Sequence, residues 1–158
     1  MKDTPIVRAA SAGDVERIHA LLEIYAARKV VLPRPKEEIL SAVGTFVVAE
    51  AAGEIRGCAA VRDFGGGLLE VRSLVVDPAF QGQGVGRAIV SGIVEGLRRD
   101  RGRWRLFALT LRPEFFRALG FREVPKAVFP EKIWSDCSKC AKRACCDETA
   151  VMLESDGY

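Results

Sequence analysis

The sequence predicts an α/β (α+β) fold in which a mixed antiparallel and parallel central sheet is flanked by helices, and three observations predict it. Between Thr45 and Val76, three runs of β-branched and apolar residues follow one another across short turns, as in an antiparallel meander. Beyond them come a glycine-dense loop, a segment with apolar residues at 85, 89, 93, 94 and 97, and another strand-like run, the order of a parallel crossover. Finally, 158 residues that are 49% apolar and 28% charged are enough for one core. A chain of this length buries roughly 70% of its unfolded surface, so the expectation is a single domain over residues 1–158.

Ile6 to Arg8 reads as a short strand. Ser11-Ala12-Gly13-Asp14 has the form of a helix start, and Val15, Ile18, Leu21, Leu22 and Tyr25 then recur at three-and-four spacing, one face of an amphipathic helix. Pro33 and Pro35 interrupt the chain around Arg34 before a second helical pattern, Lys36 to Val43, with acidic residues in its first turn. The meander strands are Thr45 to Ala51, Ile55 to Val61 and Leu68 to Val76, joined by Ala52-Gly53-Glu54 and Gly65-Gly66-Gly67. A long helix over Val85 to Arg101 follows, then a strand over Leu106 to Leu111, a short helix over Pro113 to Leu119 stopped by Gly120, and a last strand over Ala150 to Leu153. Trp104, Trp134, Phe46 and Phe107 are expected in the core or in a pocket wall, and the basic stretch Arg98 to Arg105 at a solvated helix end.

The charge balance, 24 Lys+Arg against 21 Asp+Glu, is mild, so neither a nucleic acid nor a membrane is an expected partner. No apolar run approaches the ~20 residues of a membrane span, and Met1-Lys2-Asp3-Thr4-Pro5 lacks a signal-peptide core, so a cytoplasmic location is expected. Of five cysteines, Cys58 stands in an apolar run while Cys137, Cys140, Cys145 and Cys146 crowd into ten residues. Clustered thiols suit zinc when a second pair or histidines complete the set, but the single histidine, His19, is remote in sequence. A reduced-thiol loop is therefore expected there and no metal ligand is assigned. His19 reads as a helix-face residue.

The most informative stretch is Asp77-Pro78-Ala79-Phe80-Gln81-Gly82-Gln83-Gly84-Val85-Gly86-Arg87. A strand ends, a proline turns the chain, and three glycines at alternate positions lead into a helix. Bare backbone N–H groups can converge on an anion there, helped by the positive end of the helix dipole. No Gly-Lys-Ser/Thr follows and the spacing is not G-x-G-x-x-G, so neither the triphosphate loop nor the dinucleotide fingerprint is present. The same glycines would also suit a tight connection that binds nothing.

Gln81-x-x-Gly84-x-Gly86, with Leu74-x-Val76 before it and a long helix after it, resembles the acyl-coenzyme A motif of GNAT-type N-acetyltransferases. Phe115-Phe116-Arg117-Ala118-Leu119-Gly120-Phe121 is similar to the short helix and Gly-Phe corner that end the cofactor region of the GNAT fold. The resemblance implies acetyl-CoA as cosubstrate. It further implies that Leu74 and Val76 pair their backbone with the pantetheine arm, and that Gln81, Gly82, Gln83, Gly84, Val85 and Gly86, with Arg87 close by, hold the pyrophosphate. Further segments widen the likeness to nearly the whole chain: Ile18 to Leu22, Leu32-Pro33-Arg34, Phe46 to Glu50, Glu70 to Leu74, Phe107 to Thr110, and Asp136-Cys137 through Cys146-Asp147-Glu148. These are similar to the stand-alone N-acetylglutamate synthase group, although Pro35 replaces the serine more usual there. That likeness implies acetyl transfer to the α-amino group of L-glutamate, the first step of arginine biosynthesis. The amino-acid kinase domain of longer synthases has no counterpart in the chain, so their arginine feedback site is not expected.

Acetyl transfer to an amine needs a proton acceptor and stabilisation of the developing oxyanion and thiolate. Glu70, on the strand before the glycine loop, stands at the family position of the general base; its alternative role is an ion pair with Arg72, two residues along on the same face. A dicarboxylate acceptor calls for planar bidentate cations, and Arg34 and Arg72 are the substrate-binding candidates. A backbone N–H near Val71 to Leu74 would serve the oxyanion if that strand is bulged. Many relatives carry a tyrosine where Phe116 stands; Tyr25 could substitute but is expected to pack the first helix, so the thiolate's proton is assigned to water or left open. No nucleophile and base form a local pair, which favours direct attack over an acetyl-enzyme. The alternatives are an acetyltransferase for another amine, such as glutamine or a protein N-terminus, and a non-catalytic coenzyme A sensor. The sequence leaves homodimerisation open.

Overall fold

The computed structural model describes residues 4–28, 33–125 and 149–155. Its strands are β1 (Ile6–Ala9), β2 (Phe46–Ala51), β3 (Glu54–Asp63), β4 (Leu68–Val76), β5 (Arg105–Thr110), β6 (Arg122–Glu123) and β7 (Thr149–Glu154), and its helices α1 (Val15–Ala27), α2 (Lys36–Ser41), α3 (Val85–Asp100) and α4 (Pro113–Arg117). The sheet order is β1-β2-β3-β4-β5-β7-β6. β1 and β2, and β2 and β3, pair antiparallel, while β4 and β5 pair parallel across the α3 crossover, so the sheet is mixed as expected. The chain groups into two compact units, Met1–Asp63 with Val71–Gly102, and Phe64–Glu70 with Arg103–Tyr158; β4 contributes to both.

In the first unit the two faces of the sheet are separated by the strand pleat. Phe46, Val48 and Cys58 point into a cluster with Val15, Ile18, Leu21, Leu22 and Tyr25 of α1 and Ile39 of α2, so all five positions of the predicted amphipathic face are buried. Their alternates, Val7, Ala49 and Gly57, form a row across β1, β2 and β3 in register. α3 lies against that row. A Cβ on Gly57 would fall 2.9 Å from the Val75 carbonyl oxygen and 3.0 Å from side-chain carbons of Val85 and Ile89, and one on Gly92 would fall 2.9 Å from Val7. Two missing side chains thus let α3 lie close to the strands, with its first residue, Val85, beside the end of β4. The buried positions of α3 include 85, 89, 93, 94 and 97, the periodicity that predicted it.

In the second unit, Leu68, Leu69 and Glu70 pair with Arg105, Leu106 and Phe107, and β7 runs antiparallel to β5 from Thr110↔Thr149 to Arg105↔Glu154. Trp104 and Phe107 are fully buried, and the Trp104 N–H donates to Ser155 Oγ at 3.0 Å. Trp134 lies outside the described residues. Two details depart from expectation. The second helix stops at Ser41, and Val43–Thr45 forms a short 3-10 turn that feeds β2. The two-residue β6 was not anticipated, because so short a strand leaves no periodicity to read. Among the described residues no helix is long and apolar enough to cross a membrane.

The entry to α1 is fixed by a polar cluster. Arg8 donates to both oxygens of Asp14 (2.8 and 3.1 Å) and reaches Glu50 at 3.3 Å, while the Ser11 N–H donates to Asp14 at 2.8 Å. The Arg8 hydrogen bonds, more than any other contact, hold the Asp14 carboxyl at about 2, below its ordinary 3.8. A carboxyl depressed in the folded state contributes stability above its unfolded value and loses it as pH falls through the folded one. Asp14→Asn is therefore expected to cost about 2 kcal/mol at neutral pH. In urea unfolding, the gap between the variant and the parent protein should close as pH drops from 3.8 towards 2.

Candidate active site

β4 ends at Val76, and the next residues build a tight turn that leads into α3. Asp77 Oδ1 accepts the Ala79 N–H at 2.9 Å, closing a 3-10 turn over Pro78–Phe80. Gly82 and Gly84 then take φ values of +77° and +83°. A Cβ at either would meet nothing within 4 Å, so these glycines are required by backbone conformation and not by crowding. Gly84 caps α3 from the left-handed region and offers no side chain to the helix start. The first turn of any helix leaves its N–H groups without intrahelical partners, and here no side chain caps them at the positive end of a 16-residue helix dipole. A surface cavity of about 370 Å³ lies alongside, bordered by Gln83, Gly84, Arg87 and Ser91.

The turn is anchored from three sides within its own unit. Arg17 of α1 pairs with Asp77 at 2.5 Å and donates to the Ile55 carbonyl at 3.1 Å. Burial alone would raise the Asp77 carboxyl, but the Ala79 N–H and the Arg17 guanidinium outweigh it and leave the group below the usual carboxylate range. The Arg56 guanidinium lies 4.2 Å from the centre of the Phe80 ring. Tyr25 donates its hydroxyl proton to the Val76 carbonyl at 2.5 Å and accepts from Gln81 Nε2 at 2.6 Å. Sequence reasoning missed Arg17 and Arg56 entirely. Nothing local links residue 17 to residue 77; only the packing of α1 joins them.

The residues singled out in the sequence are placed as follows. Leu74 and Val76 are partly buried at the end of β4, and Gln81 to Arg87 follow after Asp77 and the 3-10 turn over Pro78–Phe80, so the cofactor-binding candidates flank that turn. Ser73, in the middle of the same strand, has φ of +54°, a conformation that costs a non-glycine residue energy and breaks the regular pleat where an oxyanion-binding amide was expected. Arg72 is partly buried on β4, two residues beyond Glu70. Glu70 is only 6% exposed, sits opposite Phe107 on β5 and belongs to the second unit. Arg34 follows Pro33 outside any helix or strand; its Nε pairs with Glu38 at 3.1 Å and its guanidinium lies 5.0 Å from the Phe46 ring centre.

Phe116 is buried in an edge-to-face cluster with Phe115 and Phe121 and has no proton to give. Tyr25 is buried against α1's core face, as expected, and its one hydroxyl proton is committed to Val76. Cys58 is fully buried, and burial pushes its thiol up to about 12, against the weaker opposing pull of Arg17 and Arg34. His19 lies on α1 beside Glu23, with 3.4 Å between Nε2 and Oε1. Cys137, Cys140, Cys145 and Cys146 lie outside the described residues, and among the described residues no three metal-ligating side chains cluster.

Comparison with known proteins agrees with this anatomy. Residues 42–123 match the acetyltransferase (GNAT) domain family. An N-acetyltransferase of Chlorobaculum tepidum is 38% identical over 146 residues, covering 92% of this chain and 94% of the relative. An amino-acid acetyltransferase of Mycobacterium tuberculosis is 38% identical over 123 residues, 76% of this chain and 70% of the relative. Among solved structures, N-acetylglutamate synthase from Neisseria gonorrhoeae, complexed with coenzyme A and N-acetyl-glutamate, superposes with a TM-score of 0.83 at 25% identity. That match covers 98% of this chain but 36% of the synthase, so this chain spans about a third of its length. Left-handed glycines at a helix start behind a parallel strand, in a sequence that matches over more than half its length, lead to one conclusion: the chain belongs to the GNAT acetyltransferase family and is an acyltransferase that uses acetyl-CoA.

Proposed function

We propose that this protein transfers the acetyl group of acetyl-CoA to the α-amino group of L-glutamate, with residues 1–158 acting as one catalytic domain in arginine biosynthesis. The observation that supports the reading is the start of α3, which no side chain caps, behind Gly82 and Gly84 with φ near +80°. Kinship to amino-acid acetyltransferases supports the acceptor class.

In this reading the donor's pantetheine arm pairs with the Leu74 and Val76 backbone, and its pyrophosphate takes the amides from Gln81 to Gly86, with Arg87 adding charge. Glu70, already drawn out of water, accepts the proton of the attacking amine directly or through a water. The amine nitrogen bonds to the thioester carbonyl carbon, the carbon–sulfur bond breaks, and the departing thiolate takes a proton from water. Ser73 departs from strand geometry with φ of +54°, and a neighbouring β4 amide released there would serve as the oxyanion donor. Arg34 lies over the Phe46 ring and donates Nε–H to Glu38. Because Glu38 engages Nε, a substrate carboxylate would meet the terminal nitrogens, and Arg72 would take the second carboxylate. A thiol held near 12 is a poor nucleophile, which favours direct attack over an acetyl-cysteine.

Free-thiol release from acetyl-CoA across a panel of amino acids tests the acceptor directly: L-glutamate should give the highest kcat/KM, and preference for glutamine or a peptide N-terminus would overturn the assignment. Glu70→Gln should lower kcat by roughly 100-fold or more with coenzyme affinity retained. An unchanged rate would remove Glu70 as base. Arg34→Ala and Arg72→Ala should each raise the KM for glutamate by roughly 10- to 100-fold, the size of a lost charged hydrogen bond, while the KM for acetyl-CoA stays put. Cys58→Ala should keep kcat within about twofold, since direct attack does not use the thiol.

A further inference from the structure

Tyr25 forms the one side-chain bridge described between the strand end and the glycine loop. Its hydroxyl has a single proton, and that proton goes to the Val76 carbonyl at 2.5 Å. The oxygen can then only accept from Gln81, which fixes the carboxamide with Nε2 inward at 2.6 Å. Val76 is the last residue of β4, and Gln81 is the residue after the 3-10 turn. One buried phenol therefore sets the separation between the place where a strand stops and the place where the loop begins. The intervening turn is braced independently by Arg17 on Asp77 and Arg56 on Phe80, but neither contact reaches Gln81. The tyrosine is 8% exposed and rooted in α1 among Ile18, Leu21 and Leu22, so the bridge stands on the hydrophobic core and not on a mobile surface chain.

We propose that Tyr25 is a positioning residue for the acyl donor: through Val76 and Gln81 it holds the pantetheine-pairing strand end and the phosphate-binding loop at one fixed spacing. This rests on the reading that the loop holds the donor's phosphates. Pantetheine and pyrophosphate belong to one molecule, so two receptor segments already at the right spacing bind it without first being ordered, and a loop released from β4 would lose affinity to that ordering. The acetyl group and the amine lie at the other end of the donor, so the effect belongs to donor binding and not to the chemical step.

The test is calorimetric titration with coenzyme A together with steady-state kinetics on the full chain. Tyr25→Phe keeps the ring and its packing but loses the hydroxyl. It should raise the coenzyme A Kd and the acetyl-CoA KM by about tenfold, with kcat within about twofold and the acceptor KM unchanged. Gln81→Ala should show a similar loss, and the double variant should be no worse than the poorer single one, because both remove the same tether. Wild-type affinity in Tyr25→Phe, or additive losses in the double variant, would overturn the proposal, as would parallel falls in kcat and thermal stability, which mark simple packing. Should Tyr25→Phe fail to fold, Gln81→Ala on the exposed side of the bridge decides alone. Gly84→Val separates the two levels. If it binds coenzyme A normally, the loop reading itself is wrong; if it loses binding while Tyr25→Phe does not, only the tether is wrong.

Discussion

Gly82 and Gly84 hold backbone angles that residues with a Cβ rarely adopt, and the reading of the site depends on that constraint. With φ near +80° at both, the loop after β4 enters α3 with no side chain capping its first-turn N–H groups. A serine, threonine or aspartate at the cap would satisfy one of those donors from within and stabilise the helix. The glycine at the cap supplies no such acceptor, and in the proposed function those donors are left for the cofactor's phosphates. The surroundings make up for it: α3 is pressed against β1, β2 and β3 through the gaps at Gly57 and Gly92, and Arg17, Tyr25 and Arg56 hold the turn from three directions.

This division of labour explains where polar groups are buried. α1 is a core helix on its Ile18, Leu21 and Leu22 face, yet it also sends Arg17 and Tyr25 to the turn at the end of β4. The polar groups placed there are partnered: the buried Tyr25 hydroxyl both donates and accepts, and the partly buried Asp77 receives an amide and a guanidinium. Cys58, on the same face of the sheet, has no such partners among its described contacts and stays a neutral apolar side chain, its thiol pushed up by burial.

Most of the architecture was legible because it is periodic. The 85, 89, 93, 94 and 97 pattern becomes the buried face of α3, and Val15 through Tyr25 becomes that of α1, because burial on one side demands that spacing. The glycine loop was legible for another reason: alternate glycines between a strand and a helix have few uses, and their family likeness narrows those further. What could not be read was pairing at a distance. Arg17 with Asp77, Tyr25 with Gln81 and Arg56 with Phe80 are separated by 60, 56 and 24 positions, and no local pattern marks them. β6 escaped because two residues show no alternation. Arg34 was chosen as a cation between two prolines; that it stacks on Phe46 and pairs with Glu38 emerges only from the fold.

In the proposed reaction Arg34, Arg72 and Glu70 would decide which amine is acetylated and how fast, but those roles matter only if the loop behind β4 receives the donor. The most direct measurement is a crystal structure of the protein with coenzyme A bound. The pyrophosphate oxygens are expected within hydrogen-bonding distance of the backbone N–H groups between Gly82 and Arg87, with the pantetheine arm running along Leu74 and Val76. A complex in which coenzyme A binds elsewhere, leaving those amides to solvent, would contradict the account.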